Sequence, residues 1–284
     1  MCIDCGCGSS GEARFRGTHA HLHGEDDDHG PQHDHDHERE GSAGSVSGAN
    51  SRRLTLEQAV LQKNDHFARE NRGFFKAAGI LALNLLSSPG AGKTTLIEKS
   101  LLALEKTFQN SGRSFPLAVI EGDQATSRDA DRIRSLGIPA LQINTGKGCH
   151  LDAHQIGHAS RELRLSPGSV LVIENIGNLV CPALFDLGES AKIVLFSVTE
   201  GEDKPLKYPQ MFQEADLVLL TKTDLLPYLD FDREVAVNYV RAMNPKAGIL
   251  ALSSRTGEGM EEWLEWIVSL RNGVGNDSFS SPAV

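Results

Sequence analysis

The 284 residues are 39% hydrophobic and 23% charged. This suits a globular chain, and no apolar run approaches the roughly 20 residues that a membrane-spanning helix needs. The net charge of −10 is lopsided, because residues 1–50 hold ten Asp or Glu against three Arg, with seven of the eleven His and three of the five Cys, and the remainder carries only −3. Without a basic stripe that balance argues against nucleic-acid binding, and an odd number of Cys without framework spacing argues against a disulfide scaffold.

The chain begins Met1-Cys2-Ile3-Asp4-Cys5-Gly6-Cys7, which has neither the basic start nor the apolar stretch of a signal peptide, so a cytoplasmic protein is expected. Cys2, Cys5 and Cys7 place three sulfurs within six residues. With the terminal amine as a fourth donor, they suit square-planar Ni²⁺ as well as tetrahedral Zn²⁺. His19, His21, His23, His29, His33, His35 and His37 follow, interleaved with Asp and Glu. That composition favours divalent cations at modest affinity, and a polar spacer is the plainer alternative. From Gly8 to about Ser51 there are too few large apolar residues to offset ordering entropy, so residues 1–52 are expected to form a largely disordered metal-binding tail.

A helix is predicted from Leu54 to about Phe75, capped by Thr55. Apolar runs then alternate with helical stretches: Ile80 to Leu86, Leu117 to Glu121, Val170 to Ile173, Lys192 to Val198, Leu217 to Leu220 and Ile249 to Leu252. That alternation predicts an α/β domain over residues 53–275 with a mostly parallel sheet flanked by helices, and a flexible end at 276–284.

After the first strand stands Ser87-Ser88-Pro89-Gly90-Ala91-Gly92-Lys93-Thr94-Thr95, followed by the helical run Leu96 to Phe108. Strand, glycine-rich loop and helix in this order form a P-loop. The backbone of Gly90, Ala91 and Gly92 closes on phosphate, Lys93 reaches the β/γ-phosphates, and Thr94 ligates Mg²⁺, with Thr95 beside it. Ser87 departs from the pattern, which has Gly there.

The strand Leu217 to Leu220 ends in Thr221-Lys222-Thr223-Asp224, similar to the Asn-Lys-x-Asp signature of GTPases. Asp224 accepts from guanine N1–H and the 2-amino group, donors that adenine does not offer as a pair. Lys222 covers the base, and Ser253, Ser254 and Arg255 after the last strand form a third guanine element. Asp123, Glu174 and Glu121 lie at strand ends where a Mg²⁺ partner or water-orienting carboxylate belongs, and Gly177 matches the glycine whose amide senses the γ-phosphate. No arginine finger is identifiable, although Arg128, Arg132 and Arg134 are near in sequence. The body's cysteines are Cys149, beside His150, and Cys181, four residues past Gly177. Cys149, His150 and Cys181 form an incomplete metal set that a second subunit or a water completes, with inert buried thiols as the alternative. His154 and His158 read as surface residues.

Together, Cys2-Ile-Asp-Cys5-Gly-Cys7, the His-rich tract, the P-loop, Glu121-Gly-Asp-Gln124, Gly148-Cys-His150 and Glu174-Asn-Ile-Gly-Asn-Leu-Val-Cys181 closely resemble the hydrogenase nickel-incorporation GTPase family HypB, of the SIMIBI class of P-loop GTPases. The resemblance implies a cytoplasmic, Mg²⁺-dependent GTPase, cycling between GTP and GDP, that helps deliver nickel to the large subunit of [NiFe]-hydrogenase with the partner metallochaperone HypA. It further implies a nucleotide-dependent homodimer, a high-affinity nickel site at Cys2, Cys5 and Cys7, a Ni²⁺ or Zn²⁺ site at Cys149, His150 and Cys181, and nickel storage by the His tract. A urease-type nickel GTPase and a storage protein that only binds nucleotide are the rival readings; the N-terminal three-cysteine motif weighs against the first.

Overall fold

The computed structural model describes residues 45–110, 115–123, 128–146 and 148–273. The Cys2, Cys5, Cys7 motif, the His19 to His37 tract and the expected flexible end at 276–284 lie outside these residues. Gln58–Val284 form one compact unit. Of the unit before it, the backbone from Ser45 to Glu57 is described, and it is helical.

Seven strands, β1 (Leu81–Ser87), β2 (Leu117–Asp123), β3 (Ala140–Asn144), β4 (Val170–Glu174), β5 (Ala191–Ser197), β6 (Leu217–Thr221) and β7 (Gly248–Leu252), form one sheet in the order β3-β2-β4-β1-β5-β6-β7. Every pairing is parallel. β1, β4 and β6 are buried along their whole length. This is why they read as continuous apolar runs: helices cover both faces of a parallel sheet.

The helices are α1 (Ser45–Ala77), α2 (Lys93–Asn110), α3 (Arg128–Ser135), α4 (Ala153–Glu162), α5 (Cys181–Leu184), α6 (Lys204–Lys207), α7 (Pro209–Gln213), α8 (Arg233–Met243) and α9 (Met260–Gly273). One core gathers Leu83, Leu85, Leu96, Leu101, Ile133 and Trp263 beneath α2, α3 and α9. The opposite face is filled by Phe75, Ile80, Ile120, Ile156 and Ile173 under α1 and α4, and by Val194, Phe196, Phe212, Leu220 and Val240 under α7 and α8. No described helix is long and apolar enough to cross a membrane.

Two expectations change. Thr55 lies inside α1 rather than at its start, since residues 49–54 contain no Gly or Pro to end a helix on their C-terminal side of Gly48. β3 was not anticipated: Ala140-Leu-Gln-Ile-Asn is a half-buried edge strand whose apolar signal is short.

All strands run the same way, so their carboxyl ends lie along one edge of the sheet. There Ser87, Asp123, Glu174, Ser197, Thr221 and Leu252 each hand the chain to a loop. In such sheets ligands bind where neighbouring strands lead their connections in opposite directions, and β1 is flanked here by β4 and β5. Trp263 ties α9 to α2: it is 2% exposed and its Nε1–H donates to Ser100 Oγ at 2.8 Å. Trp263→Ala is expected to cost about 3–5 kcal/mol, to be read as a lower urea midpoint with an unchanged m-value.

Candidate functional site

β1 turns into α2 through Gly90 and Gly92, with φ of +74° and +101°, a region that L side chains rarely occupy. α2 has no acidic residue in its first turn, so its N-terminal amides and dipole face the loop unopposed. Lys93 is 7% exposed and its ammonium donates to Ser87 Oγ at 2.7 Å. The hydroxyl of Ser87 in turn donates to the Ser88 carbonyl at 2.6 Å. The serine in place of glycine therefore holds the lysine. Burial lowers the pKa of Lys93, and the nearby carboxylates of Glu174, Glu200 and Glu121 oppose that shift.

The segments expected to read guanine converge on this loop. Thr221 Oγ1 donates to Ala91 O at 3.0 Å, and Lys222, left-handed at φ +61°, donates from Nζ to Gly90 O at 2.7 Å. The threonine that departs from the usual Asn thus clips the P-loop. Asp224 Oδ1 accepts from Ser253 Oγ at 2.6 Å. Ser253 is itself fixed by the N–H groups of Arg255 and Thr256, both at 3.2 Å. Asp224 and Ser253 are brought together as expected, with Ser254 half-buried beside them and the side chain of Arg255 exposed.

A cleft of about 600 Å³ is lined by Gly90, Gly92, Lys93, Thr94, Thr95, Glu121, Asp123, Glu174 and Gly177. Thr94 Oγ1 donates to Glu174 Oε1 at 2.9 Å. The register sets Glu121 opposite Glu174 on adjacent strands. Burial raises Glu174 to about 7, against the pull of Lys93, and burial followed by the charge of Glu174 raises Glu121 to about 8. Glu121 Oε2 is buried and has no hydrogen-bond partner among the described residues. Asp123 is half-buried at the end of β2. Of the nearby arginines, Arg132 lines the cleft while paired to Glu98 at 2.7 Å and Asp129 at 3.2 Å. Arg134 is bound to Asp131 and to Ala140 O.

Sequence reasoning passed over Glu200 and Lys204. Both reach Ser88 of the P-loop: Ser88 Oγ donates to Glu200 Oε2 at 3.0 Å, and the Lys204 ammonium contacts both Ser88 Oγ and Glu200. The spacing of four residues in Glu200-x-x-x-Lys204 is the one available signal.

Beyond Glu174, Gly177 presses on the P-loop so closely that a Cβ there would lie 2.9 Å from Pro89 Cα. Asn175 is fully buried and its Oδ1 accepts from the Leu151 N–H at 3.3 Å. Asn178 Nδ2 donates to Cys149 O at 3.2 Å. Neither asparagine was singled out from sequence. The segment then enters α5 at Cys181, where a ligand atom from each of Cys149, His150 and Cys181 lies within 4.8 Å of the others and Cys149 Sγ is 3.6 Å from His150 Nδ1. Bonds of about 2.3 Å to sulfur and 2.0–2.1 Å to nitrogen fit a single ion among such donors. His150 stacks on Phe185 at 3.8 Å, and burial lowers its pKa, which favours the neutral ligating imidazole. His154 and His158 are exposed, as expected, with His154 against Phe67.

Carboxyl groups with raised pKa stabilise the fold most when protonated, and that contribution is lost as pH rises through the folded values. Nucleotide-free protein should therefore lose stability between about pH 5 and 8. Glu121→Gln is expected to flatten that decline and raise stability at about pH 8, as followed by urea unfolding across a pH series.

Residues 81–251 match the CobW/HypB/UreG nucleotide-binding domain. The chain is 59% identical to the hydrogenase maturation factor HypB of Azotobacter vinelandii over 219 residues, covering 77% of this chain and 70% of that protein. It is 53% identical to the HypB of Escherichia coli (strain K12) over 233 residues, covering 81% and 78%. The crystal structure of HypB from Helicobacter pylori in complex with nickel superposes with a TM-score of 0.67 at 37% identity, covering 77% of this chain and all of that one. The chain belongs to the CobW/HypB/UreG nucleotide-binding family and, within it, to the HypB hydrogenase maturation factors.

Proposed function

We propose that this chain hydrolyses GTP to GDP and phosphate and uses the nucleotide state to control a nickel ion that it hands on during [NiFe]-hydrogenase maturation. The observation that carries the reading is one short segment with two chemistries. Glu174 sits against the Mg²⁺-ligating position Thr94, Gly177 packs on the P-loop, Asn178 holds the backbone of Cys149, and Cys181 supplies a thiolate. The reading assigns the hydrogenase large subunit as recipient, the metallochaperone HypA as partner, and a cytoplasmic homodimer as the nucleotide-bound state.

The geometry supports a role for each residue. Lys93 exchanges Ser87 Oγ for the β/γ-phosphates, where it and the P-loop amides balance the developing charge. Thr94 and Asp123 would hold Mg²⁺, which would supply Lewis-acid charge to the transferring phosphoryl group. Glu174 orients the attacking water. Burial holds the pKa of both Glu174 and Glu121 near or above neutrality, and a dication would favour their ionised forms. Asp224, oriented by Ser253, selects guanine. Cys149, His150 and Cys181 take Ni²⁺ or Zn²⁺ as cargo, and Cys2, Cys5, Cys7 and the His tract capture and store nickel upstream.

Lys93→Ala is expected to abolish GTP turnover measured as phosphate release, while turnover that persists would sink the catalytic assignment. Loss of two hydrogen bonds to a charged acceptor, each worth about 1.5–3 kcal/mol, predicts that Asp224→Ala weakens GDP binding by roughly a hundredfold or more with little change for ADP, measured by fluorescent-nucleotide competition. If Ni²⁺ binds equally with GDP and with a non-hydrolysable GTP analogue, nucleotide control of the cargo is wrong.

A further inference from the structure

α1 binds the two segments that follow the Cys149, His150, Cys181 cluster in the chain, at Ala153 and at Asp186 and Leu187, without supplying a ligand to it. Asn64 and Asn71 are each 5% exposed and lie two helical turns apart on one face of α1. Asn64 Oδ1 accepts from the Ala153 N–H at 2.9 Å, and its Nδ2 donates to Asp186 O at 2.7 Å. Asn71 Nδ2 donates to Ala153 O at 2.7 Å and to Leu187 O at 3.0 Å. Each asparagine therefore bridges the first residue of α4, three positions after His150, to the strand connection that begins five positions after Cys181.

The contact is close as well as polar. A Cβ on Gly188 would lie 2.5 Å from Ala68 O, and one on Gly157 would lie 2.7 Å from Asn71 Oδ1. Arg72 Nη2 adds an ion pair, donating to both carboxylate oxygens of Asp186 at 2.7 and 2.8 Å. Between the two bridged segments, Phe185 stacks on His150. An apolar residue would pack this face, but it would not fix two separate backbones by direction.

We infer that Asn64 and Asn71 are positioning residues for the metal cluster: α1 holds the loop bearing Cys149 and His150 at a set distance from Cys181, so the site is assembled before the ion arrives. This rests on the reading of Cys149, His150 and Cys181 as metal ligands. Groups that orient metal ligands from outside typically change affinity by about 10–100-fold when removed.

The test uses the full chain carrying Cys2→Ser, Cys5→Ser and Cys7→Ser, which leaves Cys149 and Cys181 as the remaining thiols of the five. A thiolate-to-nickel charge-transfer band on Ni²⁺ titration then reports this cluster and is silent to the histidines of the tail. Adding Asn64→Ala is expected to weaken the band-forming affinity at least about tenfold and to shift the band, with GDP affinity unchanged. The same affinity and the same band in the variant overturn the role of α1 alone. A parent protein with no thiolate band overturns the ligand reading and the inference with it. Should Asn64→Ala fail to bind GDP, Arg72→Ala decides, because it removes only the partly exposed pair to Asp186: weaker Ni²⁺ binding with GDP binding intact supports the inference, and unchanged Ni²⁺ binding overturns it.

Discussion

The constraint on which the rest depends is the common direction of the strands. A parallel sheet has one carboxyl edge, and every connection leaving it starts there. The P-loop after β1, the acidic ends of β2 and β4, the Glu200 and Lys204 pair after β5, and the guanine elements after β6 and β7 are distant in sequence yet share that edge. The P-loop binds them with hydroxyls and carbonyls: Thr94 Oγ1 donates to Glu174 and Ser88 Oγ to Glu200, while Ala91 O takes Thr221 and Gly90 O takes Lys222. The base-reading strand and the phosphate-reading loop therefore form one hydrogen-bonded unit.

A cost accompanies this convergence. Glu121 and Glu174 face each other across two strands in a region where Lys93 is also buried. Burying unpaired charge is expensive, and the molecule answers by protonation: both carboxyl groups sit well above the usual carboxylate range. Under the proposed function, a dication entering beside them would favour the ionised carboxylates, and nucleotide binding would then be linked to proton release.

The P-loop, the pairing of Asp224 with Ser253 and the clustering of Cys149, His150 and Cys181 were legible because such chemistry is written in residue types at short spacing. The central strands were legible because burial on both faces leaves uninterrupted apolar runs, as in Val170-Leu-Val-Ile. β3 was not, since an edge strand with Gln142 and Asn144 carries half that signal. Ser88 and Glu200 stand 112 residues apart, and nothing in either residue announces the other. The asparagines were hidden for a related reason. Asn64, Asn71 and Asn178 act through backbone partners, as does the Oδ1 of Asn175, and a backbone N–H or carbonyl has no letter in the sequence.

Under the proposed nucleotide control, those asparagines offer a route by which a nucleotide would bear on an ion without touching it. Coupling between two sites equals the difference in ligand affinity between two states, and about 1.4 kcal/mol is needed for each factor of ten. A flexible connection would dissipate any displacement at Gly177 before it reached Cys181. Here the path is short and fastened on both sides: Asn175 holds Leu151, Asn178 holds Cys149, and α1 holds Ala153 and Asp186. The loop bearing Cys149 and His150 is thus tied at one end to the segment that follows the phosphate and at the other to a helix belonging to neither ligand. Under the proposed nucleotide control, a displacement of Gly177 would reach Cys181 along the chain and Cys149 through Asn178, while Asn64 and Asn71 hold Ala153 and Asp186 against it. Metal affinity would then respond to the strain set up among ligands fastened on both sides, so that a small movement at the P-loop could separate a binding state from a releasing one.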